Sequence, residues 1–302
     1  MAKRPAKRKN RNSGFPPAPE KTEQKRSANS PSAKRPMRWD LLILFLTIAI
    51  GGTYLAIALR PKIKADEFTY EVLREIDHDP SAFTQGLVTY DGFLWESTGR
   101  LGESSIRKLD AETGEVLSRY DLPADVFGEG LAVHNDKFYQ LTWKAGRAFV
   151  YQFDKATNSF KVEKEFKYDG EGWGLTSNGS DLILSTGDSY IKFLDPETFK
   201  ERRSIRVLRP SGLPVGRLNE LEFVGGRIYA NKYETDWIYE IDPKTGDVTK
   251  IIDLARIWPT SERPERGAVL NGIALNPKTD KLLVTGKLCP KIFEISMFKK
   301  AK

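Results

Sequence analysis

A short motif occurs five times along this chain, and its spacing constrains the fold more than any other sequence feature. Each copy is a polar or aromatic residue, then Gly or Glu, then Leu or Ile. The copies begin at Gln85, Glu129, Trp173, Asn219 and Asn271, with spacings of 44, 44, 46 and 52 residues. Repeats of this length are each one structural unit that packs against its neighbours, so the sequence predicts five such units.

Each unit has the sequence pattern of four short β-strands. Apolar and polar residues alternate on both sides of a tight turn in segments such as 87–97, as expected for a β-hairpin. An Asp-x-x-Thr turn then follows a third strand in four of the units, at Asp110, Asp154, Asp195 and Asp242. Four strands in a unit of this size predict one blade of a β-propeller.

The two ends of the repeat region complement each other. The last unit ends after its third strand, at residues 291–298, whereas the region begins with an additional strand at residues 69–76. We therefore expect the N-terminal strand to complete the last unit, which protects edge strands that an incomplete ring would expose. The prediction for residues 61–302 is an all-β domain, a five-bladed β-propeller closed by its N-terminal strand.

The net charge of +7 belongs to the N-terminal segment. Residues 1–60 contain 13 Lys and Arg against 3 Asp and Glu, which leaves 35 basic and 38 acidic residues in the rest of the chain. A slightly acidic domain argues against a nucleic-acid partner. Residues 1–38 are rich in Lys, Arg, Pro, Ser and Asn, so we predict a disordered basic tail.

An uncharged apolar stretch at residues 41–59 follows this tail. As a helix it would span the roughly 30 Å of a bilayer core, so residues 39–60 are predicted to be a transmembrane signal-anchor helix. The basic tail then remains in the cytoplasm and the domain is periplasmic or extracytoplasmic, which makes this a single-pass protein of the plasma (inner) membrane. The alternative is a signal peptide cleaved near Ala58.

The first position of the five motifs is the candidate functional site. Equivalent positions of repeated units lie at equivalent depth, and the residue types found there are not those of simple packing. Glu129 has glycines on both sides, which allow a ligand to approach closely. With Phe127, Trp143 and Trp173 nearby, its pKa would rise toward the range useful for proton transfer. The alternative is a structural carboxylate that accepts hydrogen bonds from backbone amides.

Other chemistries fit the sequence less well. The two histidines, His78 and His134, are expected in solvent-facing loops, and Cys289 lies far from both in sequence, so no zinc spacing or Ser-His-Asp arrangement is indicated. A single cysteine forms no intramolecular disulfide. A calcium site that uses Asn219 and Asn271, as in a calcium-dependent lactonase, remains an alternative.

Several of these segments together resemble the plant and bacterial glutamine cyclotransferase family over residues 68–297. The matching segments are HDP at 78–80, FTQGL at 83–87, ESTG at 96–99, FGEGL at 127–131, LTW at 141–143, EGWGL at 171–175, LNELE at 218–222, LNGIA at 270–274 and TGKL at 285–288. The resemblance implies a five-bladed propeller that needs no metal or other cofactor. It also implies conversion of N-terminal glutamine of peptides or proteins to pyroglutamate, with release of ammonia.

Carried over by position, the resemblance assigns the acid/base role to Glu129, with Asn219 and Lys287 as polar partners in catalysis. The remaining pocket positions are predicted to bind substrate, and they are Phe83, Gln85, Phe127, Trp143, Trp173 and Tyr233. Tyr233 and Cys289 each stand where the family usually has Trp, which predicts a loss of aromatic area near the pocket. The alternative function is a non-catalytic membrane-anchored propeller that binds peptides. In either case we expect a monomer.

Overall fold

Twenty β-strands account for most of residues 65–301, the part of the chain that the computed structural model describes. A 3-10 turn at Thr260–Glu262 is the one helical element in that range. In chain order the strands are β1 Asp66–Asp77, β2 Thr84–Tyr90, β3 Phe93–Thr98, β4 Ser105–Leu109, β5 Val116–Asp121, β6 Gly128–His134, β7 Lys137–Thr142, β8 Arg147–Asp154, β9 Ser159–Lys167, β10 Leu175–Ser177, β11 Leu182–Ser185, β12 Tyr190–Leu194, β13 Glu201–Arg206, β14 Leu218–Val224, β15 Arg227–Lys232, β16 Trp237–Ile241, β17 Val248–Asp253, β18 Leu270–Asn276, β19 Lys281–Gly286 and β20 Lys291–Lys299.

The predicted turns are present and determine the local strand pairing. Asp91 and Gly92 join β2 to β3 with φ values of 51° and 79°, the left-handed conformation that suits a two-residue hairpin. In the turn between β4 and β5 of the same unit, the Asp110 carboxylate accepts hydrogen bonds from the backbone N–H groups of Glu112 and Thr113. Asp154, Asp195 and Asp242 accept the equivalent bonds in later units.

The strands form four sheets, three of four strands and one of eight. The four-stranded sheets are β2 to β5, β6 to β9 and β10 to β13, each antiparallel throughout. The eight-stranded sheet has the order β14-β15-β16-β17-β1-β20-β19-β18. The prediction of a five-bladed β-propeller, in which every unit is a separate four-stranded sheet, is therefore wrong.

The length of β1 is the physical reason for this difference. This strand has 12 residues and pairs antiparallel with β20 from Phe68 to Asp77. Its first three residues also pair in parallel with Lys250, Ile251 and Ile252 of β17. Because one strand bonds to neighbours on both sides, the last two sequence units are joined into a single sheet.

The fold prediction also included a transmembrane helix. Within residues 65–301, no helix is long and apolar enough to cross a membrane. The predicted tail at 1–38 and the predicted anchor at 39–60 lie outside the described residues. The localisation and the membrane attachment that depend on them stay predictions.

Close packing of the first strands explains the glycine in the repeated motif. The first strands of successive units, β2, β6, β10, β14 and β18, contact one another in cyclic order. A Cβ on Gly130 would lie 2.4 Å from the backbone nitrogen of Leu175, and one on Gly174 would lie 1.9 Å from the carbonyl oxygen of Asn219. No side chain fits there, so the residues before these glycines are held at a fixed depth around a shared centre.

Candidate active site

Nine side chains line one pocket of about 170 Å³, and they come from all five sequence units. They are Phe83, Gln85, Phe127, Glu129, Trp143, Trp173, Asn219, Tyr233 and Lys287. These are the residues to which the sequence assigned catalytic or substrate-binding roles. The structure therefore brings the whole predicted set together, while the individual roles stay predictions.

Glu129 is the buried carboxylate of this pocket. It follows Gly128 at the start of β6, and the residue is only 5 % exposed. The Gln85 side-chain amide donates a hydrogen bond of 3.0 Å to Glu129 Oε1. Burial raises the pKa of Glu129 well above its usual range; the charge of Lys287 opposes this rise and that of Glu171 adds to it. A raised pKa makes a carboxylate a better proton acceptor, which is the property that general acid/base catalysis needs.

Lys287 brings a buried amino group to the same pocket. The residue follows β19 and is 4 % exposed, with Nζ 5.0 Å from the ring centre of Phe83 and 4.9 Å from that of Tyr233. Burial lowers the pKa of Lys287 to about 8, although the Glu129 carboxylate favours the protonated form. Lys287 can therefore change charge within the physiological pH range.

Amide side chains connect the carboxylate to the neighbouring units. Asn271 Nδ2 donates to the carbonyl oxygen of Thr84 at 3.0 Å and to Gln85 Oε1 at 3.3 Å. Because Asn271 donates to the amide oxygen of Gln85, the amide nitrogen of Gln85 faces Glu129. Asn271 is the first residue of the fifth motif, and the sequence assigned it no catalytic or substrate-binding role.

Asn219 offers an unused hydrogen-bonding atom. The residue is 3 % exposed and its side-chain oxygen Oδ1 is buried with no hydrogen-bond partner among the described residues. Its backbone carbonyl accepts a bond of 2.7 Å from Ser185 Oγ, which fixes its position in β14. A buried polar atom without a partner is costly, so a ligand or water in the pocket would stabilise this arrangement.

The aromatic side chains form two edge-to-face groups around the carboxylate. Phe127 contacts Phe83 with ring centres 6.0 Å apart and Trp143 with ring centres 5.8 Å apart. On the other side, Trp173 contacts Tyr233 at 5.7 Å. These contacts fix the ring planes and make the pocket wall largely apolar.

Glu171 is a residue of the site that sequence reasoning missed. Its Oε2 atom accepts hydrogen bonds from the indole nitrogens of both Trp143, at 2.8 Å, and Trp173, at 2.9 Å. The only available signal was its place two residues before Trp173, because the contact with Trp143 depends on how the units pack.

The histidines do not lie where the sequence placed them. His78 and His134 were expected to face solvent, yet both are buried. His78 bonds through Nδ1 to the carbonyl oxygen of Cys289 at 2.6 Å and through Nε2 to Glu96 Oε1 at 2.9 Å. The turn after β1 folds inward because these two partners satisfy both ring nitrogens.

The two departures from the family pattern have different surroundings. Tyr233 lines the pocket, so the exchange of Trp for Tyr changes the pocket wall. Cys289 is fully buried in the apolar core cluster that also contains Trp258, and it is not among the pocket-lining residues. The predicted loss of aromatic area therefore applies to Tyr233 alone.

The calcium site predicted as an alternative would use the side chains of Asn219 and Asn271. In the described part of the chain, no group of three or more His, Cys, Asp and Glu is arranged to hold a metal ion. The amide nitrogen of Asn271 donates to Thr84 and Gln85, while the side-chain oxygens of Asn219 and Asn271 are both buried without a hydrogen-bond partner among the described residues.

These features define a class of protein: an all-β domain, over residues 65–301, with a buried carboxylate of raised pKa and a buried amine in an aromatic pocket. The chain belongs to the glutamine cyclotransferase family, whose model matches residues 45–297. Glutaminyl-peptide cyclotransferase of Arabidopsis thaliana is 39% identical over 232 residues, which are 75% of this chain and 71% of that protein. The crystal structure of Myxococcus xanthus glutaminyl cyclase matches with a TM-score of 0.73 and 35% identity, over 79% of this chain and 100% of that one. The family resemblance predicted from the sequence is confirmed.

Proposed function

We propose that this protein converts the N-terminal glutamine of peptides or proteins to pyroglutamate and releases ammonia. One observation carries the proposal: Glu129, a buried carboxylate with a raised pKa, shares an aromatic pocket with the buried amine of Lys287. The names of the Arabidopsis and Myxococcus relatives give the same activity for those proteins.

In the proposed reaction the α-amino nitrogen of the substrate attacks the carbon of its own side-chain amide. A carbon–nitrogen bond forms and closes a five-membered lactam, while the bond from that carbon to the amide nitrogen breaks. Glu129 takes a proton from the attacking amine and returns it to the departing nitrogen, which leaves as ammonia. Since both reacting groups belong to one residue, the enzyme has mainly to hold them in contact and move the proton.

The polar partners of Glu129 have separate tasks in this proposal. Lys287 Nζ and the side-chain amide nitrogen of Asn219 donate hydrogen bonds to the amide oxygen of the substrate as negative charge develops on it. Gln85 is held by Asn271 and donates to one oxygen of Glu129, which leaves the other oxygen for the substrate. The carboxylate is thus oriented before the substrate arrives.

The aromatic wall has to select the glutamine side chain. Its two methylene groups fit against apolar rings, and the pocket of about 170 Å³ leaves little room for water beside them. Because these residues supply the proton transfer and the charge stabilisation, we also propose that the reaction needs no metal ion. Turnover of the purified protein should then be unchanged by a strong chelator.

The test of this proposal is ammonia release from a short peptide that begins with glutamine, with the purified full-length chain. We expect Glu129→Gln to lower kcat by about 10²- to 10⁴-fold, the usual contribution of a positioned acid/base group. A peptide that begins with asparagine is the substrate control, because it would have to close a strained four-membered ring. If a folded Glu129→Gln variant kept most of the activity, Glu129 would not be the acid/base group. Binding of the peptide without turnover by the wild-type protein would favour a peptide-binding function.

A further inference from the structure

The two tryptophans of the pocket are joined by a single carboxylate oxygen. Trp143 follows β7 in the second sequence unit and Trp173 precedes β10 in the third. Both indole N–H groups donate to Glu171 Oε2, at 2.8 and 2.9 Å. Glu171 itself is not among the residues that line the pocket. It therefore connects two walls of the pocket from behind.

The backbone around Glu171 is fixed by its own contacts. The backbone nitrogen of Gly172 donates to the carbonyl oxygen of Trp143 at 3.0 Å, and that of Trp173 donates to the carbonyl oxygen of Ser185 at 2.9 Å. A Cβ at Gly172 would lie 2.3 Å from the Tyr168 hydroxyl oxygen, so a larger residue there would displace Tyr168. The carboxylate is thus presented to both indoles by a segment that has little freedom to move.

A lysine completes this arrangement on the solvent side. Lys144 Nζ lies 3.6 Å from Glu171 Oε1 and 3.9 Å from the ring centre of Trp143. Burial alone would raise the pKa of Glu171, but the hydrogen bonds from Trp173 and Trp143 and the positive charge of Lys144 lower it overall. Glu171 is therefore ionised at neutral pH, and hydrogen bonds to an ionised acceptor are the stronger kind.

We propose that Glu171 is a positioning residue that sets the separation and orientation of the two indole walls and so determines how well the pocket holds a glutamine side chain. This inference rests on the proposed function, because the side chain in question is that of the substrate. Glu171 acts through Trp143 and Trp173 and does not contact the reacting atoms.

The same carboxylate has an electrostatic effect on the acid/base group. The negative charge of Glu171 adds to the rise in the pKa of Glu129. Removal of that charge would lower the pKa of Glu129, and the acid limb of the pH profile of kcat would move to lower pH. A residue with a purely structural role would not produce this shift.

Three variants of the full-length protein test the inference. Glu171→Ala removes both acceptor bonds, and we expect KM for a glutamine-initiated peptide to rise about tenfold or more, as for lost hydrogen bonds to a charged group. Glu171→Gln keeps an oxygen for the indoles, so KM should stay near the wild-type value while the acid limb shifts. Asp169→Ala is the matched control, since it removes an exposed carboxylate two residues away and should change neither KM nor the acid limb of the pH profile.

A double-variant comparison shows whether Glu171 works through the tryptophans. Trp143→Phe and Trp173→Phe each remove one indole N–H. If Glu171 acts through these hydrogen bonds, combining Glu171→Ala with either tryptophan variant will raise KM by less than the product of the two single-variant factors. Fully multiplicative effects would contradict the inference, as would an unchanged KM in a folded Glu171→Ala variant.

A measurement without substrate separates this inference from the proposed function. The near-ultraviolet circular dichroism of tryptophan reports how rigidly the indoles are held. We expect Glu171→Ala to lose part of this signal, and Glu171→Gln and Asp169→Ala to retain it. If the wild type failed to cyclise the peptide but the variants showed this pattern of circular dichroism, the proposed function would be wrong and the positioning of the indoles by Glu171 would stand. An unchanged signal in Glu171→Ala would show that Glu171 does not position the indoles.

Discussion

Glu129 and Lys287 influence each other's protonation across the pocket. Burial favours the neutral form of each group, while the attraction between them favours the charged forms. Burial dominates for both, so the pKa of Glu129 is raised and that of Lys287 is lowered to about 8. The proposed chemistry needs ionised Glu129 and protonated Lys287, so activity should fall at low pH as Glu129 becomes protonated and fall above about pH 8 as Lys287 loses its proton.

Lys287→Met tests this coupling. Loss of the positive charge should raise the pKa of Glu129 further, so the acid limb of the kcat profile moves to higher pH. The alkaline limb that arises from Lys287 near pH 8 should disappear. We expect kcat at its optimum to fall by about 10²- to 10³-fold, the usual cost of one oxyanion donor.

The profile should be measured with one peptide throughout, so that ionisation of the substrate amine is common to all variants. Lys278→Met, at an exposed lysine, is the control and should leave both limbs in place. An acid limb that moves to lower pH in Lys287→Met would contradict the proposed coupling.

The sequence predicted the lining of the pocket but not the residues behind it. Gln85, Glu129, Trp173 and Asn219 could be found because a repeat places equivalent positions at equivalent depth, and the resemblance assigned roles to these and to the other pocket residues. Asn271 and Glu171 act through hydrogen bonds to side chains of other units. No local pattern reports which way such side chains point, so their roles required the structure.

At the scale of elements, the strands and their turns were predictable because they depend on neighbours in the sequence. The pairing of β1 with two strands was not, since nothing in residues 66–77 shows that the strand extends beyond β20. The glycines of the first strands also affect the packing of elements, because the absence of a side chain lets neighbouring first strands approach closely.

Gly130→Ala tests the close approach of the first strands. The added Cβ would lie 2.4 Å from the backbone nitrogen of Leu175, so backbone has to move. We expect the free energy of unfolding, measured by urea denaturation, to fall by about 1–3 kcal/mol or more. Gly216→Ala is the control, since its Cβ would meet only the carbonyl oxygen of Gly187, at 3.9 Å, and equal stability of the two variants would refute the argument.

At the scale of the whole molecule, two buried carboxylates hold distant units together. Glu220 accepts hydrogen bonds from the backbone nitrogens of Leu87 and Ile273, and Glu222 accepts one from Leu275 and one from the Thr176 hydroxyl. A buried carboxylate that accepts hydrogen bonds from backbone amides, which was the alternative role predicted for Glu129, is thus found at Glu220 and Glu222. Burial raises the pKa of both, that of Glu222 to about 7.

This burial predicts a dependence of stability on pH. A carboxyl group with a raised pKa in the folded state stabilises the fold below its ordinary pKa, and that contribution is lost as pH rises through about 7. The loss for Glu222 is on the order of 3 kcal/mol, since one pKa unit corresponds to about 1.4 kcal/mol. Glu222→Gln should therefore unfold like the wild type at pH 5 and be more stable at pH 8.

Urea denaturation at the two pH values measures this difference directly. Glu163→Gln is the control for loss of one charge. Glu163 lies on the outer strand β9, and its carboxylate forms an ion pair with Lys137. Equal stabilities of Glu222→Gln and wild type at pH 8 would show that Glu222 keeps an ordinary pKa in the folded protein.

The pairing of β1 with β20 has a consequence for the order of events during synthesis. Phe68 pairs with Lys299 and Asp77 with Lys291, so β1 leaves the ribosome long before its antiparallel partner exists. The nascent chain must keep this strand soluble until β20 has been synthesised, and loop closure of that length makes the pairing a slow folding event. Ribosome-bound chains that stop before residue 291 should remain sensitive to protease at β1, and full resistance should arise only after β20 has emerged.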